Sequence, residues 1–415
     1  MTQDTTYGYV HRMNAVRPGS PAGLREANRR RVLDAVLAAG EPTQSGIAAA
    51  TGLAPATVSN IVRDLCREGR LTASTTVRDG RRVRAVRRTP PPGVVAGIDF
   101  GHRHVRVGIA RAADTGRLEG GAADRLLAER ACELAEAHDA GVGLDAAAAL
   151  LEDALSAADV PRAELLAVGI GLPAPVDART GAVGEPGILP GWVGIRPAAA
   201  AAERFGAPVV VDNDALLGTL AEQAWGALSG VDDGIYLKLS DGVGAGLVLG
   251  GRPYRGRAGT AGELGHVVVD DSGGPPGGAV CRCGNRGCLE TWASTATVVG
   301  LLEPLLGAPL SVDEVVARAR GGHAPSRRVL ADTGAQVGRA LGGLCSVLTP
   351  ARIVVGGELA QAGELLLDPL RAALERWALP GAADGVEVTT ARLGRHAHVL
   401  GAVALALDHV LATHG

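Results

Sequence analysis

The chain has 415 residues, of which 47% are hydrophobic and 20% charged, so it is long enough for two or three domains with buried cores. By our interpretation no apolar run reaches the roughly 18 residues of a membrane helix, and the N-terminus lacks the apolar segment of a signal peptide. The composition therefore excludes the membrane and secreted classes and predicts a cytoplasmic protein, in which thiols stay reduced.

The first module of the chain, from Leu24 to Pro90, is basic, with 13 Arg against 6 acidic residues, which indicates a polyanionic partner. Its apolar spacing predicts a helix from Leu24 that Gly40 ends, a short helix that Gly52 stops, and a third helix that begins at Pro55. This order is typical of a helix-turn-helix, whose last helix enters the major groove of DNA. The residues of this helix that we expect to contact DNA are Thr57, Ser59, Asn60 and Arg63.

A wing is predicted next, because two strand-like runs flank Asp79-Gly80, a hairpin turn signal. The arginines of the wing that we expect to follow phosphates or enter the minor groove are Arg81, Arg82, Arg84, Arg87 and Arg88. Residues 24–88 thus form a predicted winged helix-turn-helix, preceded by a disordered tail (1–23) and followed by a stiff linker (89–93). The alternative is a small three-helix domain that binds another protein.

The rest of the chain, residues 94–415, contains apolar strands separated by glycine-rich turns. One buried strand ends in Asn213-Asp214 at the start of a helix. Polar groups at the carboxyl end of a strand, beside a helix N-terminus, are where α/β proteins place ligands. The alternative for these two residues is a plain helix N-cap.

Three of the six cysteines, Cys281, Cys283 and Cys288, fall within eight positions. In a reducing compartment clustered thiols indicate a metal site rather than disulfides, and a closed structural zinc site takes four sulfur or nitrogen ligands. The alternative is three incidental reduced thiols. The remaining cysteines are interpreted as ordinary small buried residues: Cys66, Cys132 and Cys345.

Two segments, ELGH (263–266) and CRCGNRGCLE (281–290), occur in this order and close together. With the winged helix-turn-helix in front of them, they make the chain beyond its tail resemble the ROK family of sugar kinases and sugar-responsive repressors. The resemblance implies an α/β architecture: a winged helix-turn-helix followed by a two-lobed, actin-like or hexokinase-type ATPase fold with a structural zinc site. Lobe 1 is expected at about 94–224 plus a C-terminal helix at about 396–415, and lobe 2 at about 225–395.

The resemblance also assigns residues to sites. It makes His266 the fourth zinc ligand, beside the three clustered thiols, and Gly284 and Gly287 would let the backbone turn tightly around the ion. It makes Asp214 the counterpart of the catalytic base of the kinases. The sugar-binding residues that it implies are Asn213, Asp214, Glu263, His266 and Glu290.

The nucleotide side departs from the kinase pattern. The kinase loops Asp-x-Gly-Gly-Thr and Gly-Thr-Gly-Ile-Gly are replaced here by Asp99-Phe100-Gly101-His102-Arg103 and Ser240-Asp241-Gly242-Val243-Gly244. Facing an ATP oxygen at about 4 Å, Asp241 would repel it by about 4 kcal/mol, with Arg103 as the group that would compensate. Ile188 also stands where the family commonly has Asn before Leu-Pro-Gly-Trp.

The sequence therefore predicts a sugar-responsive DNA-binding transcriptional regulator, of the repressor type, for carbohydrate metabolism genes, with kinase activity lost. The expected partners are operator DNA, a sugar or sugar-phosphate effector and further copies of the chain in a homodimer or homotetramer, and no membrane. The expected cofactor is structural Zn²⁺, and ATP with Mg²⁺ is not expected. The alternative is an active ATP-dependent, glucokinase-like sugar kinase with a DNA-binding head. A zinc-stapled protein-interaction module is a third class, which explains neither the wing nor Asn213-Asp214.

Overall fold

The structure, a computed structural model, describes residues 21–39, 41–78, 81–114, 122–136, 138–184, 189–269 and 280–413. It divides into two compact units: one that runs up to Pro91 and includes the last residues from Val410, and one formed by Pro92–His409. Three predicted features lie outside the described residues, namely most of the tail (1–20), the turn at Asp79-Gly80 and Ile188.

The first unit has the predicted three helices and antiparallel hairpin. Its first helix begins at Pro21, so the predicted tail ends earlier than residue 23. The second helix is capped by Thr43, whose Oγ1 accepts from the Gly46 amide at 3.1 Å, and ends at Gly52 in the left-handed conformation. Apolar residues from all three helices and both strands share one core. The elements are α1 (Pro21–Ala39), α2 (Gln44–Thr51), α3 (Pro55–Arg67), β1 (Leu71–Arg78) and β2 (Arg81–Arg88).

The second unit contains two five-stranded mixed sheets. The first sheet has the order β5-β4-β3-β6-β7 and the second has the order β10-β9-β8-β11-β12. Its strands are β3 (Val94–Phe100), β4 (His104–Arg111), β5 (Ala128–Glu133), β6 (Leu165–Leu172), β7 (Val209–Asn213), β8 (Gly234–Leu239), β9 (Val243–Leu249), β10 (Arg252–Tyr254), β11 (Arg352–Gly356) and β12 (Glu387–Thr390).

The two sheets share one topology. In each sheet, the first three strands in chain order pair antiparallel with one another. The fourth strand pairs in parallel with the other edge of the first strand, and the fifth strand pairs in parallel with the fourth. The turn between β3 and β4 therefore occupies the same place in its sheet as the turn between β8 and β9. This duplicated arrangement confirms the predicted α/β class with two sheet-centred lobes.

Helix α6 lies between the two sheets and is buried along almost its whole length. The helices of the second unit are α4 (Ala140–Ala157), α5 (Pro197–Phe205), α6 (Asp214–Trp225), α7 (Glu290–Ala293), α8 (Thr295–Leu306), α9 (Val312–Arg320), α10 (Ala324–Leu348), α11 (Glu364–Trp377) and α12 (Ala397–Thr413).

Glycines let the backbones of α12 and the first sheet approach each other closely. A Cβ added to Gly169 on β6 would lie 2.0 Å from the carbonyl oxygen of Ala402, and one added to Gly97 on β3 would lie 2.3 Å from that of Val399. Because such separations are shorter than any real contact, only glycine fits at these two positions.

The expectation that no stretch of the chain is long and apolar enough to cross a membrane needs correction. The helical stretch Gly394–Thr413 is long and apolar enough, by length and composition, to cross a membrane, with a mean hydropathy of 1.3. Yet 61% of that stretch is buried inside the protein, as in the core helix of a folded domain. The close packing of this helix on the first sheet accounts for its apolar composition.

Candidate functional site

A polar cavity that is open to solvent lies in the second unit, at the carboxyl ends of β6 and β7 and beside the β8–β9 turn. The two strands contribute side chains of the first sheet to the cavity wall, and the turn contributes backbone of the second sheet. The lining residues are Pro173, Ala174, Pro175, Asn213, Asp214, Lys238, Gly242, Val243, Gly244, Gly262, Glu263, His266, Arg282 and Glu290. All five residues predicted to bind sugar are among them.

Asn213 serves as the N-cap of α6 as well as a wall of the cavity. Its Oδ1 accepts from the Ala215 amide at 2.8 Å, and its Nδ2 donates to the Ala174 carbonyl at 3.2 Å. The N-cap alternative is therefore confirmed, and the same residue also lines the cavity, where its predicted role in sugar binding stays a prediction. The cap fixes the amide plane, so the Asn213 side chain is presented to the cavity in one orientation.

Asp214 is buried and forms an ion pair with Lys238, the only lysine in the chain. Lys238 extends from β8 in the second sheet, whereas Asp214 begins α6 at the end of the first sheet. Burial alone would lower the pKa of Lys238, but the neighbouring carboxylates, Asp214 first among them, raise it above its usual value. The lysine therefore remains charged.

Sequence reasoning missed Lys238 as a site residue. The signal was present, because a lysine stands within the otherwise apolar strand GIYLKL, where every residue is buried. A charge inside a buried strand requires a partner. The sequence did not reveal that the partner is Asp214, which lies 24 positions earlier.

Glu290 braces the cavity from the second sheet's side. One carboxylate oxygen accepts from Arg282 Nε at 2.7 Å, and the other accepts from the Val243 amide at 3.1 Å. Arg282 also donates to the Asp241 carbonyl at 3.3 Å. These bonds tie the cysteine-rich loop to the turn between β8 and β9.

Glu263 is less restrained. Its Oε2 lies 3.9 Å from His266 Nε2, and its side chain is about one-third exposed, at 32%. Burial, followed by the nearby carboxylates of Asp214 and Glu290, raises the pKa of Glu263 to about 7. Burial is the larger cause of this shift, and the two carboxylates add to it.

The four predicted metal ligands come together at one point. The imidazole of His266 and the thiols of Cys281, Cys283 and Cys288 offer ligand atoms that all lie within 4.8 Å of one another. His266 Nδ1 is 3.3 Å from Cys281 Sγ, and Cys283 Sγ is 3.6 Å from Cys288 Sγ. A tetrahedral ion with bonds of about 2.3 Å to sulfur would place two sulfurs about 3.8 Å apart, so the spacing fits a metal ion.

The loop around this cluster folds as the sequence predicts. Gly284 and Gly287 both have a positive φ, at 87° and 74°, and the Gly284 amide donates to the Cys281 carbonyl at 2.8 Å. Burial, followed by the hydrogen bond that the Cys288 thiol makes to Cys283, raises the pKa of Cys288 to about 12. A bound cation would offset this cost by stabilising the thiolate.

The two loops that the sequence compares with the kinase phosphate loops carry polar groups of their own. Asp99 is buried; burial would raise its pKa, but a hydrogen bond from His104 and the charge of His398 lower it to about 2. A Cβ on Gly101 would lie 2.1 Å from the His104 ring, so this ring covers the glycine of the first loop. In the second loop, Asp241 Oδ1 accepts from Thr295 Oγ1 at 2.6 Å.

Arg103 does not face Asp241 in the way its suggested compensating role requires. It is exposed and pairs with Glu136 at 2.5 Å. Its guanidinium is therefore already paired with a carboxylate at the edge of the same sheet. Asp241 is one of the carboxylates that raise the pKa of Lys238, after Asp214 and Asp99.

Helix α3, which the sequence predicts to face DNA, has three of the four predicted contact residues exposed. Ser59, Asn60 and Arg63 are exposed on α3 and Thr57 is half-buried, while Val58, Val62 and Leu65 face the core. Arg63 donates to the side chain of Asn60, so the two side chains are held together at the surface.

The wing arginines differ in environment. Arg82 and Arg84 are exposed, and Arg87 is half-buried. Arg88 is buried against the unit's core, and burial lowers its pKa. It therefore supports the unit's structure rather than forming part of the basic surface. Arg81 begins β2, but its side chain lies outside the described part of the chain.

The sequence model of the ROK family matches residues 143–409, which is more than half of the chain. The chain belongs to the ROK family. A winged helix-turn-helix DNA-binding model matches residues 25–72. Both parts of the architecture expected from the sequence are thereby confirmed for this ROK protein.

Relatives of two kinds match this ROK chain. It is 27% identical to a putative xylose repressor of Caldicellulosiruptor sp. (strain Rt8B.4) over 95% of the chain and 98% of that protein. It is 26% identical to the DNA-binding transcriptional repressor Mlc of Escherichia coli over 93% of the chain and 94% of that protein. A glucokinase of Halalkalibacterium halodurans is 33% identical, over 60% of the chain and 79% of that protein. The repressors match nearly end to end, and the kinase matches in part.

Solved structures agree on the fold. A ROK family glucokinase from Streptomyces griseus in complex with glucose and AMPPNP is 29% identical, covers 76% of the chain and 99% of its own, and superposes with a TM-score of 0.64. A ROK family transcriptional regulator, a homologue of the Escherichia coli Mlc protein, covers 94% of the chain and 96% of its own with a TM-score of 0.71. At 23% identity this second likeness concerns the fold alone.

Proposed function

We propose that this ROK protein is a transcriptional repressor whose binding to operator DNA is controlled by a sugar bound in the polar cavity. The observation that carries the proposal is the near end-to-end match to proteins named as repressors, with a winged helix-turn-helix at one end. A ligand controls DNA binding only if it binds more tightly to one of two conformations of the protein. Operator binding as a homodimer or homotetramer is part of the proposal, since two DNA-binding heads read two half-sites.

The DNA contacts proposed are those of an exposed recognition helix and a basic wing. Asn60 and Arg63 have the planar groups that pair with adenine and guanine edges. Thr57 and Ser59 suit phosphates or base edges, and the wing residues Arg81, Arg82 and Arg84 would neutralise phosphates.

The metal proposed for the four-ligand cluster is Zn²⁺. Three thiols and one imidazole nitrogen are its preferred structural ligands, and the distances among them suit a tetrahedron. Because His266 offers Nδ1 to the cluster, its Nε2 faces Glu263 and the cavity. The ion thus fixes a wall of the sugar site and has no role in chemistry.

The sugar proposed for the cavity would be held by side chains that the fold has already oriented. Asn213, Asp214 and Glu263 supply acceptors for hydroxyl groups, and His266 Nε2 supplies a donor. Glu290 would act chiefly through the brace that it makes with Arg282 and Val243.

Phosphoryl transfer is proposed to be lost. The His104 ring covers Gly101, where a kinase loop needs an open backbone face for phosphate, and Asp241 adds a carboxylate at the second loop. The counterpart of the catalytic base, Asp214, is occupied by Lys238, which competes with any substrate hydroxyl for the same oxygen. Three independent features therefore oppose the reaction.

The second candidate function is an active glucokinase-like enzyme with a DNA-binding head. The observation that favours it is the 33% identity to a protein named glucokinase, together with the retained Asp214. It requires ATP to bind beside Asp241 and His104.

Thermal unfolding of the full chain with a panel of sugars, each with and without Mg-ATP, separates the two. A ligand at about 100 times its dissociation constant adds about 2.7 kcal/mol to the free energy of unfolding, which raises the midpoint by degrees. We expect one sugar to stabilise the chain, Mg-ATP to add nothing, and the same sugar to alter binding to the promoter of the chain's own gene. Stabilisation by Mg-ATP, with ADP formed in the presence of sugar, would establish the kinase instead.

A further inference from the structure

A second cavity lies in the ROK domain at the opposite end of α6 from the polar cavity. The polar cavity contains Asn213 and Asp214, where α6 begins, whereas the second cavity is lined by Trp225, where α6 ends. The 12 residues of α6 span about 18 Å. The second cavity has a volume of about 400 Å³, which is within the range of small-molecule sites.

Both chain connections between the two sheets border this second cavity. The first connection runs from the end of α6 to β8 and contributes Ala227 and Ser229, and the second runs from β12 to α12 and contributes Arg392. We call it the hinge cavity, because a rotation of one sheet against the other has to bend these two connections. The second sheet adds lining residues from the starts of β11 and β12, namely Arg352, Glu387 and Thr389.

The carboxylate of Glu222, on α6, ties the two connections together. Its Oε2 accepts from the Ala227 amide at 2.6 Å in the first connection, and its Oε1 accepts from the Leu393 amide at 2.9 Å in the second. The Glu222 side chain is fully buried, so water does not compete for these bonds. A displacement of one connection therefore pulls on the other connection and on α6 through the same carboxylate.

The hinge cavity presents hydrogen-bond donors that have no partner. Among its described lining residues the one carboxylate, that of Glu387, is already paired with Arg352. The guanidinium of Arg392 and the hydroxyls of Ser229 and Thr389 have no hydrogen bond or ion pair with any described residue. Two guanidinium groups against one carboxylate leave the described lining with a net charge of +1. A ligand rich in negatively charged acceptor oxygens would satisfy these donors.

We propose that the hinge cavity binds a small organic anion, a metabolite that carries a phosphate or carboxylate group, and that this ligand regulates the polar cavity. Phosphate and carboxylate oxygens accept two parallel bonds from a guanidinium such as that of Arg392. An anion that bridges Arg392 and Ser229 holds the two connections in one arrangement, so it favours one orientation of the two sheets. Only the regulatory part of the proposal rests on the proposed function.

Calorimetric titration of the full chain at physiological ionic strength tests for the site. The probes are D-glucose 6-phosphate, glycerol 3-phosphate and citrate, so the panel separates phosphate from carboxylate recognition and a sugar phosphate from a phosphate without a sugar ring. We expect at least one probe to bind with one site per chain. If none of the three binds at millimolar concentration, the proposal is overturned.

A variant assigns the binding to the hinge cavity. Arg392→Ala removes the unpaired guanidinium and should weaken binding of that anion by about tenfold or more. The matched control is Arg395→Ala, which removes an exposed arginine of the same connection that is not among the described lining residues and should leave the affinity unchanged. Binding that survives Arg392→Ala, or that is lost in Arg82→Ala/Arg84→Ala on the wing, would place the anion elsewhere and overturn the proposal.

The regulatory part is tested with a sugar that binds the polar cavity, titrated with and without a saturating amount of the anion. We expect the dissociation constant of the sugar to change by about fivefold or more, and that of the anion to change by the same factor, because coupling is reciprocal. An unchanged sugar affinity would contradict the regulation. If no sugar binds, the proposed function fails, and the titration with anions still decides whether the site exists.

Discussion

Lys238 and Asp214 form a buried ion pair that connects the two sheets of the ROK domain. The lysine belongs to a strand of the second sheet, and the aspartate follows a strand of the first. The pair thus joins the two halves of the cavity and occupies the carboxylate that the family resemblance compares with the kinase base. Its contribution to stability can be measured.

Removing the lysine alone should lower the free energy of unfolding. Lys238→Met leaves Asp214 buried and unpaired, and breaking a buried pair in this way destabilises a protein by about 3–5 kcal/mol. Urea unfolding measures the loss. The double variant Lys238→Met/Asp214→Asn removes both charges and should recover much of the stability. Equal losses in the single and double variants would show that the pair's charges do not interact.

The close approach of α12 to the first sheet predicts a steric effect. Gly169→Ala places a methyl group 2.0 Å from the Ala402 carbonyl oxygen, so we expect a loss of about 1–3 kcal/mol or more in the free energy of unfolding. Gly300→Ala is the matched control, because nothing lies within 4 Å of its added Cβ and the residue is in α8. That change should raise stability by up to about 1 kcal/mol. If both variants behaved alike, the packing argument would be wrong.

The thiol cluster predicts a metal content. The purified chain should hold about one zinc ion, as measured by atomic absorption, and Cys288→Ala should lose most of it because three ligands bind far more weakly than four. A strong chelator should release the ion and lower the unfolding midpoint. Cys345→Ala is the control, since Cys345 lies in the second sheet's core, where burial raises its thiol pKa to about 11. Full zinc content in Cys288→Ala would exclude this cluster as the site.

The wing predicts a salt effect on DNA binding. Because Arg82 and Arg84 are exposed, Arg82→Ala/Arg84→Ala should weaken binding to a random-sequence duplex and reduce the slope of log affinity against log salt by up to about 2. Fluorescence anisotropy at several salt concentrations measures both. Arg328→Ala is the control, since Arg328 is equally exposed but lies on α10 of the other unit. An unchanged slope in the double variant would remove the wing from the DNA interface.

The buried His398 predicts a pH dependence of stability. Burial lowers its pKa below the usual value, although the neighbouring Asp99 opposes the shift. The unfolded chain takes up this proton near pH 6.5 and the folded chain does so only at lower pH, so the unfolded state binds more protons in that window. Stability should therefore fall as pH drops below about 6.5. His398→Gln should show a shallower fall than the wild type in urea unfolding at pH 5–7, and an equally steep fall would exclude this histidine as the cause.

Local patterns predicted much of this protein because their physical causes are local. The helix-turn-helix follows from apolar periodicity, a proline at a helix start and glycines at helix ends. The metal cluster follows from thiols that are close in sequence, and the positive φ of Gly284 and Gly287 is a property of the loop itself. The N-cap role of Asn213 likewise needs only the residues that follow it.

The sequence by itself determined the helices, the hairpin wing and the thiol cluster. Two short motifs in it also indicated the ROK family. The tertiary structure alone decided which charges meet. Lys238 reaches Asp214 only because two sheets are packed on either side of α6, and Arg88 is buried while Arg82 and Arg84 remain exposed because the core covers one end of the strand. Burial and ion pairing depend on which distant elements cover a residue, and a one-dimensional pattern does not contain that information.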